Sequence, residues 1–121
     1  MIRSEFNKIV DKRLNLIKQV LLSKGKEYST DLDVFHNFKA ATGLSFHEAP
    51  EKVCWEFMVK HLQSIKDILN HIEILGINDY PTREIITEKF GDAINYLVLL
   101  EGMLEERQQF YEDLKILKEE K

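Results

Sequence analysis

Residues 82–117 read TREIITEKFGDAINYLVLLEGMLEERQQFYEDLKIL, and this stretch decides the fold class. It holds no proline and two glycines, Gly91 and Gly102, so nothing in it stops a helix outright. Each glycine costs roughly 1 kcal/mol relative to alanine in a helix interior. Thr82 follows Pro81 and the turn-forming residues from Gly76, and its hydroxyl suits an N-cap. A helix of about 35 residues rises on the order of 50 Å at 1.5 Å per residue, more than a monomer of this size covers. From Glu105 the tail is mostly charged, yet Phe110, Leu114 and Leu117 keep helical spacing. The surplus length predicts a homo-oligomer, with residues 105–121 serving association.

The segments before it follow the same period. Ser45 with Glu48 three residues later matches a capping box, and Pro50 fits a first helical turn. Cys54, Met58, Leu62, Ile65, Leu69 and Ile72 then define one apolar face, which predicts a helix to about Leu75. Val34 to Thr42 reads as a short helix carrying Phe35, Phe38 and Ala41, closed by Gly43. The segment Lys24 to Asp33 lacks helical period and reads as a loop. Ser4 is the expected N-cap of a first helix to about Ser23, with Phe6, Ile9, Val10, Ile17, Val20 and Leu21 on one face. The result is an all-α bundle of three long helices and one short one, a single domain over residues 1–121.

Composition narrows the function classes. With 44% hydrophobic and 31% charged residues the chain has an ordinary globular mixture. A net charge of −4 argues against a dedicated duplex nucleic-acid binder, which carries a basic stripe. The single cysteine, Cys54, rules out an internal disulfide and multi-cysteine metal sites. No basic-then-apolar leader opens the sequence and no apolar run approaches the roughly 20 residues of a membrane span, so a cytoplasmic, membrane-free protein is expected.

Three constellations carry chemistry. On the last helix, Glu88, Asp92 and Asn95 lie within about 60° of arc, a face of two carboxylates and an amide that suits a magnesium ion. The same face also suits plain solvation, but Ala93 to Leu100 is apolar nearly all round, which predicts burial and partners for the polar groups in it. On the preceding helix, Glu56, Lys60, Gln63, Ser64 and Asp67 form a stripe that is either a solvated surface or the opposite wall of the same site. In that second case Glu56 joins the metal ligands and Lys60 neutralises phosphate. Third, Lys24, Lys26 and Tyr28, followed by Asn37, offer cations for an anion, a ring for stacking and an amide for a base edge. Phe35 and Phe38 read as core.

The four histidines, His36, His47, His61 and His71, form no i,i+4 pair, and His61 reads as a hydrogen-bonded core residue. Cys54 sits on an apolar face and reads as unreactive. No nucleophile elbow, Walker loop or GxGxxG occurs.

The series KGKEY at 24–28, NF at 37–38, WEFMVKHLQSIKDIL and EKFGDAINYLVLLEGML resembles small phage and prophage proteins of the nucleotide-modification-associated group. More distantly it resembles the MazG-like all-α NTP pyrophosphohydrolases, the likeness spanning roughly residues 20 to 106. The resemblance implies an oligomeric helical bundle that handles nucleoside phosphates with magnesium. Asp92 falls where the family's Glu-x-x-Asp motif ends, and Asn95 resembles the polar residue one turn on. Lys89 stands where that motif has its glutamate, with Glu88 one step earlier, and the preceding helix carries only Glu56 near its middle. Three functions remain open: a magnesium-dependent nucleoside-phosphate hydrolase, a non-catalytic protein that binds or sequesters a nucleotide, and a structural helical dimer that regulates a protein partner.

Overall fold

The computed structural model of the chain describes residues 1–23, 33–74, 76 and 78–120. It is all-α among those residues. Helix α1 spans Arg3–Lys18 and runs into a π-helical turn at Gln19–Ser23; α2 spans His36–Ala41, α3 Pro50–Asn70 and α4 Arg83–Glu119. Three long helices, the C-terminal one the longest, and one short helix are the expected set.

The helix starts follow local chemistry, with two corrections. Thr82 caps α4, its Oγ1 accepting from the Ile85 N–H at 3.2 Å. Pro50 occupies the first turn of α3, where its missing N–H is no loss. The expected capping box does not form there, because Ala49 is the N-cap. Ser45 instead closes a local turn, its Oγ accepting from the His47 N–H at 3.0 Å. At the N-terminus the cap is Ile2 rather than Ser4, since the Ile2 N–H donates to the Glu5 carboxylate at 3.4 Å. Helix α3 ends at Asn70, and residues 71–74 turn away from it.

Helix α4 is the spine. It packs chiefly on α3, and the pair runs antiparallel: Glu51 of α3 meets Arg107, the Cys54 thiol donates to the Tyr96 carbonyl at 3.6 Å, and His61 faces Asp92. Helix α1 lies along the first half of α4, where the Arg13 guanidinium donates to the Thr87 carbonyl at 3.0 Å. The core forms where α2, α3 and α4 meet: Phe38, Val53, Cys54 and Met103 are buried, with Phe35, Tyr96, Leu99 and Leu100 packed against them. Phe35 and Phe38 are the core residues expected of the short helix.

The two α4 glycines are there for contact. A Cβ at Gly91 would stand 2.7 Å from Arg13 Nη1, and one at Gly102 would stand 2.7 Å from Phe35 Cζ. Close approach of α1 and of the Phe35 ring offsets their poor helix propensity.

Burial along α3 and α4 is thinner than their sequences predict. Leu62, Leu69 and Ile72 continue the α3 apolar face past Met58 but are 37%, 57% and 49% exposed. On α4, Ala93 is buried while Leu97 and Val98 remain exposed, so the segment expected to be covered on every side is covered on one. Among the described residues no further layer lies over that face.

Candidate functional site

The polar residue most in need of a partner is on α4. Asn95 Oδ1 is buried and, among the described residues, accepts no hydrogen bond. Leaving such an acceptor unmet costs about 1–3 kcal/mol, so a group that belongs against it is expected. Asn95 lines a cleft of ≈ 320 Å³ together with Asp92, Tyr96 and Leu99 of α4, His61 of α3, Phe38 of α2, and Val20 and Leu21 of the π-helical turn. Its volume lies near the small end of ligand pockets, which run from roughly 300 to 1,000 Å³.

Each helix brings its side chain by register. Asp92, Asn95, Tyr96 and Leu99 sit at i, i+3, i+4 and i+7, one face of α4. His61 reaches that face from α3 because the two helices run antiparallel, and its Nδ1 stands 3.5 Å from Asp92 Oδ2. The His61 and Tyr96 rings stack at 5.2 Å between centroids, tilted by 24°. Phe38 meets Tyr96 edge-on at 6.3 Å, which sets an aromatic wall beside the two polar side chains. The π turn places Val20 and Leu21 at the cleft, and such turns recur at functional sites. The Asp92 side chain is 41% exposed, so its carboxylate faces both the cleft and solvent. The arrangement offers two oxygen acceptors, one carboxylate and one amide, beside rings and aliphatic side chains.

Of the residues singled out from sequence, Asp92 and Asn95 line this cleft. Glu88 is exposed and outside it. Glu56 is turned away, its carboxylate 2.6 Å from His47 Nε2, and Lys60 is exposed. Asn37 is exposed at the start of α2. Lys24, Lys26 and Tyr28 lie outside the described residues. Glu56, Lys60, Glu88 and Asp92 are thus not gathered on one cavity. Among the described residues no three His, Cys, Asp or Glu side chains group as a metal site, and the cleft's donor set does not fit a magnesium ion held by protein ligands alone.

Sequence reasoning missed His61 and Tyr96 as site residues. His61 follows the apolar stripe of its own helix, and its pairing with Asp92 arises only when α3 is laid against α4. Cys54 behaves as read: it is fully buried, and loss of hydration pushes its thiol up to about 11.

A second cavity of ≈ 340 Å³ lies between Lys39, Pro50, Glu51, Met103, Glu106, Arg107 and Phe110. Its charges are spent on one another. Lys39 Nζ is 2.7 Å from Glu106 and 2.9 Å from Asp33, and Arg107 grips Glu51 with two donors, one at 2.9 Å. The Arg107 hydrogen bonds hold the Glu51 carboxyl below the usual glutamate range, and Glu51 in turn raises Arg107. These pairs lock α2 and α3 to α4.

Among the described residues no helix is long and apolar enough to cross a membrane. Comparison of the chain with protein-family models, with characterised proteins and with solved structures finds no match.

Proposed function

We propose that this chain binds a nucleoside or nucleotide by its base in the cleft between the π-helical turn, α2, α3 and α4, and does not hydrolyse it. The observation that carries the reading is the orphaned Asn95 carbonyl oxygen beside the Asp92 carboxylate, in a pocket walled by Tyr96, Phe38 and Leu99. A flat heterocycle meets both needs, since its faces match the aromatic and aliphatic wall and its edge hydrogen-bonds the polar pair. Two acceptors favour a donor-rich edge. Bases with an exocyclic amine therefore suit the cleft better than uracil or thymine, following the same pairing of amide and carboxylate side chains with amino groups seen at base edges. The reading agrees with the resemblance to nucleotide-handling phage proteins.

Binding without hydrolysis is the better-supported form because, among the described residues, one carboxylate, that of Asp92, lines the cleft. Metal-assisted attack on phosphorus needs a fixed ion and an activated water, and Glu88 and Glu56 lie elsewhere.

Thermal shift against adenosine, guanosine, cytidine and uridine, each as nucleoside and as mono- and triphosphate, with and without magnesium, tests the proposal. The amine-bearing bases are expected to raise the melting temperature, by the equivalent of about 2.7 kcal/mol at a hundredfold excess over Kd, and to be recovered intact. Asp92→Ala should lose the response while keeping its helicity. Silence across the whole panel, or an undiminished response in the Asp92→Ala chain, ends the base-binding reading. Release of phosphate or pyrophosphate restores the hydrolase reading instead.

A further inference from the structure

The described fold leaves too much apolar surface open for a chain of its size. A folded monomer of 14.3 kDa exposes about 6,800 Å² of polar and apolar surface together, and the whole chain exposes 9806 Å², an excess of about 3,000 Å² in total surface. The buried core among the described residues is six apolar side chains: Phe38, Val53, Cys54, Met58, Ala93 and Met103. No residue of α1 is buried, although Phe6, Ile9 and Leu14 recur along it. Every residue from Leu104 to Glu120 is exposed.

The apolar seam of α4 does not stop where its cover stops. Met103, Arg107, Phe110, Leu114 and Leu117 follow one another at steps of four and three, within about 80° of arc. Tyr96, Leu99 and Leu100 lie on the same side one to two turns earlier and pack on the core. The Lys39–Glu106 and Glu51–Arg107 pairs tie the end of the cover to α4. Past them, Phe110, Leu114 and Leu117 stand 58%, 39% and 55% exposed, on a seam with coiled-coil spacing.

We infer that a second copy of this chain covers that seam, the C-terminal half of α4 packing against the same segment of its partner about a two-fold axis. Three physical points select a copy of the chain over another protein. A core this small needs cover whenever the chain is folded, and a second copy is present wherever the chain itself is made. If each copy hides about half of its excess, the interface buries about 3,000 Å² in total, within the span of permanent homodimers. An isologous contact also requires one self-complementary patch, and an apolar heptad seam supplies it.

The full chain at tens of micromolar should show twice the mass of 14.3 kDa in light scattering, and its melting temperature should rise with protein concentration. Two charge variants locate the contact: Phe110→Glu with Leu114→Glu, and Phe110→Lys with Leu114→Lys. Each alone should lose the doubled mass, and mixing the two should restore it together with the melting temperature. That rescue holds even if either variant folds poorly by itself. Ile85→Glu, a change at an exposed side chain in the first turn of α4, 25 residues before Phe110, should leave the mass unchanged. A monomer whose melting temperature ignores concentration overturns the inference. So does a doubled mass that persists in both charge variants, or a mixture that fails to reassociate.

Discussion

Asn95 concentrates the tension between stability and binding in one side chain. Its Oδ1 is buried and, among the described residues, no donor stands against it, so the fold itself gives that acceptor no protein partner. Asn95→Leu removes that acceptor at similar volume and adds apolar contact with Leu99 and Val20. It is expected to raise the melting temperature by several degrees, equivalent to about 1 kcal/mol, while abolishing the response to nucleosides. A destabilised Asn95→Leu chain would mean that the amide is a structural link and not a ligand-facing group. The polar character of Asn95 within the apolar run Ala93 to Leu100 was plain from sequence, because an amide among leucines needs a partner wherever the helix packs. His61 was not legible in the same way. Its own helix places it beside Leu62 and Ile65, and only the antiparallel fit against α4 sets it 3.5 Å from Asp92.

At the scale of elements, the two glycines of α4 separate propensity from packing. Alanine at either position gains roughly 1 kcal/mol of helix propensity. At Gly91 the new methyl meets the far end of the flexible Arg13 side chain, which swings aside at the loss of one part-buried hydrogen bond to Thr87. At Gly102 it meets the Phe35 ring, which is packed against Phe38 and Met103 and has no comparable freedom. Gly91→Ala should therefore shift the urea midpoint by less than the equivalent of about 0.5 kcal/mol, whereas Gly102→Ala should destabilise by about 1 kcal/mol net of its propensity gain. Equal effects at the two positions would show that the α2 contact is not a constraint on α4. Helix existence and type were readable from period and caps because those signals are local. Helix starts moved where a rival local bond won, as when Ser45 turned back to the His47 N–H instead of capping α3.

For the whole molecule, a small core makes modest electrostatic contributions count. Asp33 is held below the usual aspartate range first by the Lys39 ammonium and then by the Phe35 N–H, and Glu51 is lowered by Arg107. A carboxyl whose folded pKa is depressed stabilises the fold above its unfolded value and loses that contribution as pH falls through the folded one. The melting temperature should therefore decline from about pH 5 downward, as the carboxyls begin to protonate near the ordinary values of about 4. Lys39 is raised, first by Glu106 and then by Asp33, so its share persists at neutral pH and disappears only at strongly alkaline pH. Arg107→Gln should flatten part of the acid decline, because it removes the partner that lowers Glu51. An acid profile identical to the parent chain would show that the pair at the end of the α3–α4 contact contributes nothing measurable. Each pair is partly exposed, so its worth is at most about 1 kcal/mol.

By itself the sequence determined the all-α class, the order of one short and three long helices, the helical run through Gly91 and Gly102, and the Thr82 cap. Caps, period and the scarcity of breakers act within a few residues of one another, so no tertiary information is needed to read them. Tertiary structure alone decided which polar groups share a cleft. It joined His61 to Asp92 and Asn95, and it left Glu56 with His47 and Glu88 in solvent. Convergence of side chains depends on the register between helices, and a helix carries no record of its neighbour's register in its own period.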